Sequence, residues 1–197
     1  MPDIMNPIAL VAAIFVIFFA FTIVMWYIST WNRLVRLEKD VDRAWSNIDT
    51  LLQQRYSMIP NLVKIVGRYV KHEESIFGEL TKARKMFAAA SASKDVKGVN
   101  AAESLMNAAI PKITALSEDY PELKANKNFE KLQEDLVDIE NQVTDQRQLY
   151  NSSATNFNIA IETIPTNIVA NAKGCVERDL FIAGREARSD VVVDFDF

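Results

Sequence analysis

The chain has 197 residues, a formal net charge of −4 at pH 7, one histidine and one cysteine. This mild charge, without a basic patch or a long acidic run, argues against nucleic acid as a partner and against a disordered acidic tail. Because Cys175 is the only cysteine, no disulfide can form within the chain, which is typical of a reducing compartment.

An apolar run near the start of the chain predicts a transmembrane helix. Residues Ile8–Ile28 contain one polar side chain, that of Thr22. At 1.5 Å per residue, about 20 such residues cross the ~30 Å hydrocarbon core of a bilayer. A signal peptide is an alternative, but no Lys or Arg precedes the run and no small-residue cleavage site ends it. A buried core helix is disfavoured because the segment has no polar face.

Aromatic and basic residues at the end of the run predict its orientation. The predicted membrane anchor comprises Trp26, Tyr27, Trp31 and Arg33, of which the aromatic residues are typical of a membrane interface. Arg36 and Lys39 follow, whereas no basic residue precedes the run. The positive-inside rule therefore predicts a single pass over residues 7–28, with residues 1–6 outside and the rest of the chain in the cytoplasm.

Beyond the span, apolar residues recur at alternating spacings of three and four, as in helices packed nearly parallel or antiparallel. We predict four soluble helices: from the span to about Arg55, Met58–Ala90, Val99–Ser117, and from Asn126 or Asn128 to Pro165. In the last helix the stripe predicts that Phe157 is buried and that Leu149 is exposed. The predicted fold class is all-α: a transmembrane helix, an antiparallel four-helix bundle over residues 29–164 and an irregular C-terminal tail over residues 165–197.

Pro60 decides how the first two soluble helices connect. Proline is tolerated in a first helical turn and Ser57 can cap one, so we expect a reversal near Ser57–Pro60. The alternative is a single kinked helix, because the apolar stripe keeps its phase through Pro60. One helix over residues 30–90 would, however, be about 90 Å long and exceed any partner in the chain. The small and polar residues Ala88–Gly98 predict a linker.

Charged residues on the apolar stripes predict a polar layer in the bundle. Glu73 lies between Tyr69 and Ile76 on the second stripe, and Arg147 has a similar place on the last stripe. A charge between packed helices is costly unless paired, and such groups often fix helix register. The predicted structural polar layer comprises Glu73, Glu140, Arg147 and Asn151. Ligand binding by these residues is the alternative interpretation.

No motif in the sequence supports catalysis, a metal or a cofactor. His72-Glu73 resembles the start of a zinc-protease motif, but the second histidine is missing, and one His with a distant Cys cannot supply three or four zinc ligands. Paired Glu-x-x-His motifs and glycine-rich phosphate loops are absent too. A Ser-His-Asp or Cys-His nucleophile remains open by residue count, but lacks a strand–turn–helix context. We predict a non-enzyme with no cofactor and no small-molecule substrate.

The last residues alternate in hydrophobicity and are the one β-prone part of the chain. A lone strand is not stable in water, so this segment either lies along a groove of the bundle or pairs with another chain. The candidate assembly tail comprises Val191, Val193, Phe195 and Phe197.

Three stretches of the chain resemble the LemA family of bacterial membrane proteins. They are AWSNID at Ala44–Asp49, IPNLVKIVGRYVKHEESIFGELTKAR at Ile59–Arg84, and EDYPELKANKNFEKLQEDLVDIENQVTDQRQLYN at Glu118–Asn151. The chain departs from the family pattern at Gln54–Ser57, where an arginine and an acidic residue are missing, and at Pro111. The resemblance implies an N-terminal span and a cytoplasmic antiparallel helical bundle, with no established enzymatic activity or cofactor. The LemA family also includes relatives associated with organelle-like membrane formation.

These features predict a membrane-organising scaffold of the bacterial cytoplasmic (inner) membrane that self-associates into a homo-oligomer. The alternative is a regulatory adaptor that presents its bundle or its tail to a membrane protease or a sensor kinase. The expected partners are the lipid bilayer, further copies of the chain and, for an adaptor, a membrane protein.

Overall fold

The structure is a computed structural model that describes residues 7–70 and 73–182. Nearly all of these residues are helical and none of them forms a β-strand. The helices of this described part are α1 Pro7–Val66, α2 Glu74–Ser93, α3 Val96–Asp119, α4 Pro121–Lys124, α5 Lys127–Glu162 and α6 Thr166–Lys173. The all-α prediction is therefore confirmed here, while the β-prone segment Val191–Phe197 lies outside the described residues.

Helix α1 contains Pro60 and continues to Val66, so the predicted reversal near Ser57–Pro60 is wrong. Ile59, Leu62 and Val66 are at most 2 % exposed and continue the buried face of the helix past the proline. Their burial stabilises the helix by more than the one backbone hydrogen bond that a proline removes. Residues Gly67–Tyr69 then form the turn that ends α1.

The length of α1 also has a simple explanation. The apolar segment occupies residues 7–28, and the remaining residues 29–66 extend over about 57 Å. Helix α5 has 36 residues and a length of about 54 Å. The part of α1 beyond the apolar segment is thus nearly equal in length to α5, because α1 ends at Val66 rather than near Ala90.

Helices α2 and α3 are joined by only Lys94 and Asp95, so the predicted linker over Ala88–Gly98 is wrong. The alanines of this stretch favour helix, and Ala90 is buried at 6 % exposure. Lys94 ends α2 in the left-handed conformation, with φ 54°, and the amide of Asp95 donates to the carbonyl of Ala90. The two helices therefore form a tight helical hairpin.

Gly98 lies at a close approach of this hairpin, which gives a testable result. A Cβ at this position would lie 2.8 Å from Ala90 Cβ and 2.6 Å from Asp95 Oδ2. We expect Gly98→Ala to lower the free energy of unfolding, because overpacking costs about 1–3 kcal/mol whereas replacing a helical glycine gains about 0.5–1 kcal/mol. Chemical denaturation followed by circular dichroism measures the change.

Gly78→Ala on α2 is the matched control for Gly98→Ala. Open space surrounds the position of a Cβ at Gly78, so this variant should gain the full ~0.5–1 kcal/mol. Equal stability of the two variants would show that the hairpin separates without cost and would contradict the prediction.

The start and the phase of α5 agree with the sequence prediction. Asn126 Oδ1 accepts hydrogen bonds from the amides of Asn128 at 2.9 Å and Phe129 at 3.3 Å, and so caps the helix. Phe157 is fully buried, whereas Leu149 is 56 % exposed. The predicted phase of the apolar stripe is confirmed.

The described residues fall into two compact units. Unit 1 takes its residues from Met1–Asp42 and Ser153–Arg178, and unit 2 from Arg43–Ser152 and Asp179–Phe197. The core of unit 1 contains Leu34, Ala160, Val169 and Ala170, flanked by Trp31, Leu37, Ile161 and Cys175.

Within unit 2, side-chain contacts give the direction of the helices. Asn47 bonds to Gln146 and Arg55 pairs with Glu140, so α1 and α5 run antiparallel. Thr114 bonds to Gln133 and Glu103 to Arg147, so α3 and α5 also run antiparallel. These pairs position the charged side chains of the candidate site.

Candidate functional site

The N-terminal part of α1 is an exposed apolar surface. Every side chain from Ile8 to Ser29 is exposed, and α1 is the one described helix that is long and apolar enough to cross a membrane. A contiguous apolar surface of this size indicates an environment other than water, and its length fits a bilayer. One N-terminal apolar helix of this kind suggests a single-pass membrane anchor.

The predicted anchor residues lie at the end of this apolar segment. Trp26 and Tyr27 are 37 % and 38 % exposed, and Arg33 is exposed as well. Trp31 is half-buried, and its ring centroid lies 6.1 Å from that of Tyr27. The aromatic side chains therefore cluster within the two helical turns where the exposed segment ends.

Unit 2 contains five polar side chains that join three helices, and we name these residues the charged network. They are Arg55 on α1, Glu103 and Asn107 on α3, and Glu140 and Arg147 on α5. Arg55 Nη1 donates to Glu103 Oε2 at 3.1 Å, and Nη2 donates to Asn107 Oδ1 at 2.8 Å. Arg55 also pairs with Glu140, and Arg147 donates to Glu103.

The centre of the charged network is deeply buried, whereas Glu140 is 31 % exposed and Asn107 is exposed. The formal charges of the network balance. The side chains of Arg55 and Glu103 are only 4 % and 3 % exposed, and that of Arg147 is 15 % exposed. Removing such ions from water costs several kcal/mol each, and only their mutual attraction and hydrogen bonds offset this cost. The arrangement therefore penalises any packing in which these three helices present different faces to one another.

Tyr56 lies next to the charged network, and its chemistry is that of a neutral phenol. Its ring stacks on Phe87, with centroids 4.4 Å apart and planes at 9°. Burial, and secondarily the negative charge of Glu103, raise the pKa of Tyr56 far above its ordinary value. Tyr56 is consequently a neutral phenol at neutral pH.

The structure places the residues of the predicted polar layer in different surroundings. Glu140 and Arg147 belong to the charged network, whereas Glu73 is half-buried at the N-cap of α2 and pairs with no basic residue of the described chain. Sequence reasoning missed Arg55, although it lies between Leu52 and Ile59 on the buried face of α1. That signal was overlooked because the helix was expected to end there.

Asn151 acts elsewhere, in one of two equivalent contacts that we name the asparagine clamps. In unit 2, Asn151 Nδ2 donates to the carbonyl of Phe181 at 2.9 Å, and the amide of Phe181 donates to Asn151 Oδ1 at 2.8 Å. In unit 1, Asn158 makes the same two bonds with the backbone of Arg178, both at 2.9 Å. Each side-chain amide thus satisfies one backbone donor and one backbone acceptor of the segment that follows α6.

Phe181 anchors this segment in unit 2. Its side chain is 4 % exposed, and its ring lies 6.0 Å from the ring of Trp45 and 5.1 Å from the ring of Tyr150. The guanidinium of Arg147 lies over the same ring, 5.6 Å from its centroid. The Tyr150 hydroxyl donates to the carbonyl of Asp179 at 3.1 Å. Residues up to Phe181 are therefore part of the packed structure.

Removing one asparagine clamp should free its backbone partner. We expect Asn151→Ala to speed hydrogen exchange at the amide of Phe181 by roughly 10- to 100-fold, since each lost hydrogen bond contributes about 0.5–1.5 kcal/mol. Hydrogen–deuterium exchange of peptides covering Cys175–Ile182 measures this. Ser152→Ala, an exposed neighbour on α5, is the control and should leave the exchange unchanged. Unchanged exchange in Asn151→Ala would contradict this prediction and would mean that the remaining contacts of the segment, such as the packing of Phe181, are sufficient to hold it.

Unit 1 contains a smaller ion cluster and the cysteine. Glu38 pairs with Lys173 at 2.5 Å and with Arg178 at 3.3 Å, and the bond to Glu38 raises the pKa of Lys173. Burial raises the pKa of the Cys175 thiol, which disfavours the reactive thiolate. No three of the described His, Cys, Asp and Glu residues are grouped so that they could hold a metal ion. His72 lies outside the described residues.

These features define a class of protein: all-helical, with one apolar N-terminal helix suited to a membrane and with three helices joined by a charged network. A sequence model of the LemA family matches residues 44–195. The chain belongs to the LemA family.

The chain is similar to three named relatives along most of its length. Magnetosome protein MamQ of Magnetospirillum gryphiswaldense is 25 % identical over 195 residues, which cover 86 % of this chain and 70 % of that protein. Magnetosome protein MamQ 1 of Paramagnetospirillum magneticum is 22 % identical over 199 residues, covering 89 % and 72 %. Protein LemA of Metamycoplasma hominis is 25 % identical over 182 residues, covering 90 % and 81 %.

Proposed function

We propose that this protein is a single-pass scaffold that self-associates on the cytoplasmic face of a bacterial inner membrane and organises that membrane. Helix α1 carries this proposal, because one unbroken helix contains both the exposed apolar segment and buried core residues such as Leu34. No loop separates the anchor from the folded residues that follow it. Sequence similarity to proteins named magnetosome proteins supports a membrane-organising role.

The proposed orientation rests on exposed basic residues. Arg33, Arg36 and Lys39 are exposed on α1 directly beyond the apolar segment, which favours a cytoplasmic position for them. An epitope tag fused after Phe197 should resist protease added to spheroplasts, in which the outer face of the inner membrane is accessible, and be digested after lysis. Digestion of the tag in spheroplasts, with a cytoplasmic marker protected, would reverse the orientation.

We further infer that helical segments of unit 2 form the antiparallel four-helix bundle. The tight hairpin of α2 and α3 and the antiparallel pairs of α5 with α1 and with α3 support this arrangement. A bundle of this kind presents a polar surface to the cytoplasm.

The candidate assembly tail supplies the test of self-association. We expect the chain purified alone in mild detergent to be a large homo-oligomer, and deletion of Asp190–Phe197 to reduce its mass without loss of helical content. Light scattering after gel filtration measures mass, and circular dichroism measures helicity. An unchanged mass would reject the interchain role, and lost helicity would show that the segment belongs to the fold.

A matched pair of variants separates apolar contacts from charge in this tail. Replacing Val193, Phe195 and Phe197 with serine should reduce the mass as the deletion does, because strand contacts between chains bury the apolar side. Replacing Asp194 and Asp196 with asparagine is the control and should leave the mass unchanged. The opposite pattern would indicate that the tail acts through its charge.

The adaptor is the second candidate, and the exposed side chains next to Phe181 favour it. Leu180 and Ile182 are 43 % and 59 % exposed while the clamped backbone holds them outward. A partner such as a membrane protease or sensor kinase would cover these side chains. An adaptor would be small in detergent until that partner is added, whereas a scaffold assembles alone.

A further inference from the structure

Unit 1 exposes two isoleucines at the turn between α5 and α6. Ile164 is 79 % exposed and Ile168 is 63 % exposed. Ile168 lies on α6, whose other face is buried through Val169 and Ala170. Helix α6 is therefore apolar on two sides, and only one of them is covered by the core of unit 1.

The contacts of α6 with α1 indicate which turn of α1 lies beside these isoleucines. Lys173 of α6 pairs with Glu38 of α1. Val169 lies four residues before Lys173, Leu34 lies four residues before Glu38, and the two belong to the same core cluster. The two helices therefore run in the same direction. Extrapolating this register by one more turn places Thr166 beside Thr30.

Burial supports this extrapolation. Thr30 and Thr166 are only 7 % and 9 % exposed, although each has exposed neighbours on its N-terminal side. Thr30 is also the first buried residue of α1 after the exposed apolar segment. This register places Ile164, which precedes Thr166, level with the last turn of that segment. The rings of Tyr27 and Trp31 lie together there, and such aromatic pairs are typical of a membrane interface.

We propose that Ile164 and Ile168 insert into the interface of the bilayer that α1 crosses, so that the turn between α5 and α6 is a second membrane-contact site for lipid. The register of α6 on α1 places these side chains beside the exposed apolar segment of α1, and this position favours lipid as the occupant. This inference rests on the membrane anchoring proposed above.

A second contact has a mechanical consequence. A single helix across a bilayer remains free to rotate about its axis, and its tilt is set by the groups packed around it and by interfacial anchors. Inserting Ile164 beside α1 restricts both movements. Each subunit then presents the same side to its neighbours in the plane of the membrane.

Site-directed spin labelling of the full chain in phosphatidylethanolamine–phosphatidylglycerol vesicles tests the proposal. Single cysteines replace Ile164, Ile168, Asn171 or Phe19 in a Cys175→Ser background. Asn171 is exposed on the same helix α6 but lies farther from the apolar segment, and so serves as the matched control. Relaxation by oxygen, which concentrates in lipid, is compared with relaxation by a water-soluble nickel chelate.

We expect the ratio of oxygen to nickel accessibility at positions 164 and 168 to shift toward the ratio at Phe19, with 164 the deeper site, and the ratio at Asn171 to be that of water. A water-like ratio at both isoleucines together with a lipid-like ratio at Phe19 would overturn this inference and leave the anchor intact. A water-like ratio at Phe19 would overturn the anchor and the inference together. Low accessibility to both reagents with spin–spin broadening would show a second copy covering the turn and would also reject lipid contact.

Discussion

Replacing Glu103 with alanine should lower the free energy of unfolding by about 3–5 kcal/mol, because it removes one partner of a buried ion pair. Glu103 is 3 % exposed and accepts hydrogen bonds from both Arg55 and Arg147. The variant leaves the guanidinium of Arg147 without this carboxylate, in a place that water barely reaches. Urea denaturation of the full chain in one detergent, followed by circular dichroism, measures the loss.

Glu79→Ala is the matched control for Glu103→Ala. Glu79 on α2 pairs with Lys112 on α3 at 2.9 Å, but the two side chains are 37 % and 49 % exposed. Solvent screens such a pair, so its loss should cost about 0–1 kcal/mol. Equal losses in the two variants would contradict the interpretation that burial makes the charged network costly to break.

A combined variant distinguishes stability from specificity in the charged network. Replacing Arg55, Glu103, Glu140 and Arg147 together with apolar residues of similar size removes all four charges without leaving one unpaired. We expect this variant to be more stable than Glu103→Ala, because desolvation of the ions is avoided. A larger loss than in the single variant would contradict this expectation and would mean that the ion pairs and their hydrogen bonds stabilise the fold by more than their desolvation costs.

The sequence predicts the helices of this protein where a local pattern determines them. The apolar stripe of α5 predicted its phase and the burial of Phe157, because a packed helix repeats the same spacing. The asparagine at its beginning predicted its start. The exposed segment of α1 was equally clear, since a helix surrounded by lipid needs an apolar side chain at nearly every position.

Connections and long-range polar contacts were harder to predict, because they depend on tertiary structure. A proline inside a helix destabilises that helix by about 3 kcal/mol. Helix α1 nevertheless continues through Pro60, because the buried side chains on either side of it, such as Ile59 and Leu62, stabilise the helix in the folded chain. The partners of Arg55 could not be predicted, because Glu103 and Glu140 lie on helices far away in the sequence. The asparagine clamps have no periodic signal, since they depend on the path of an irregular segment.

Phe157→Ala should lower the free energy of unfolding by about 3–5 kcal/mol, as typical for a large aromatic side chain removed from a packed core. Phe157 is fully buried in unit 1, and the guanidinium of Arg178 lies 5.8 Å from its ring centroid. The clamp on Arg178 by Asn158, the next residue on α5, holds that guanidinium in place. Denaturation in the same detergent measures the loss.

Two further variants determine why Phe157 matters. Leu149→Ala on the same helix removes a side chain that is 56 % exposed, so it should change stability by about 0.5 kcal/mol or less. Phe157→Leu keeps most of the apolar volume but removes the aromatic face, so its loss should lie between the other two, and the difference from wild type includes the cation–π contact with Arg178. A loss at Leu149 as large as at Phe157 would contradict the orientation of α5, because the two positions would then have to share one buried face.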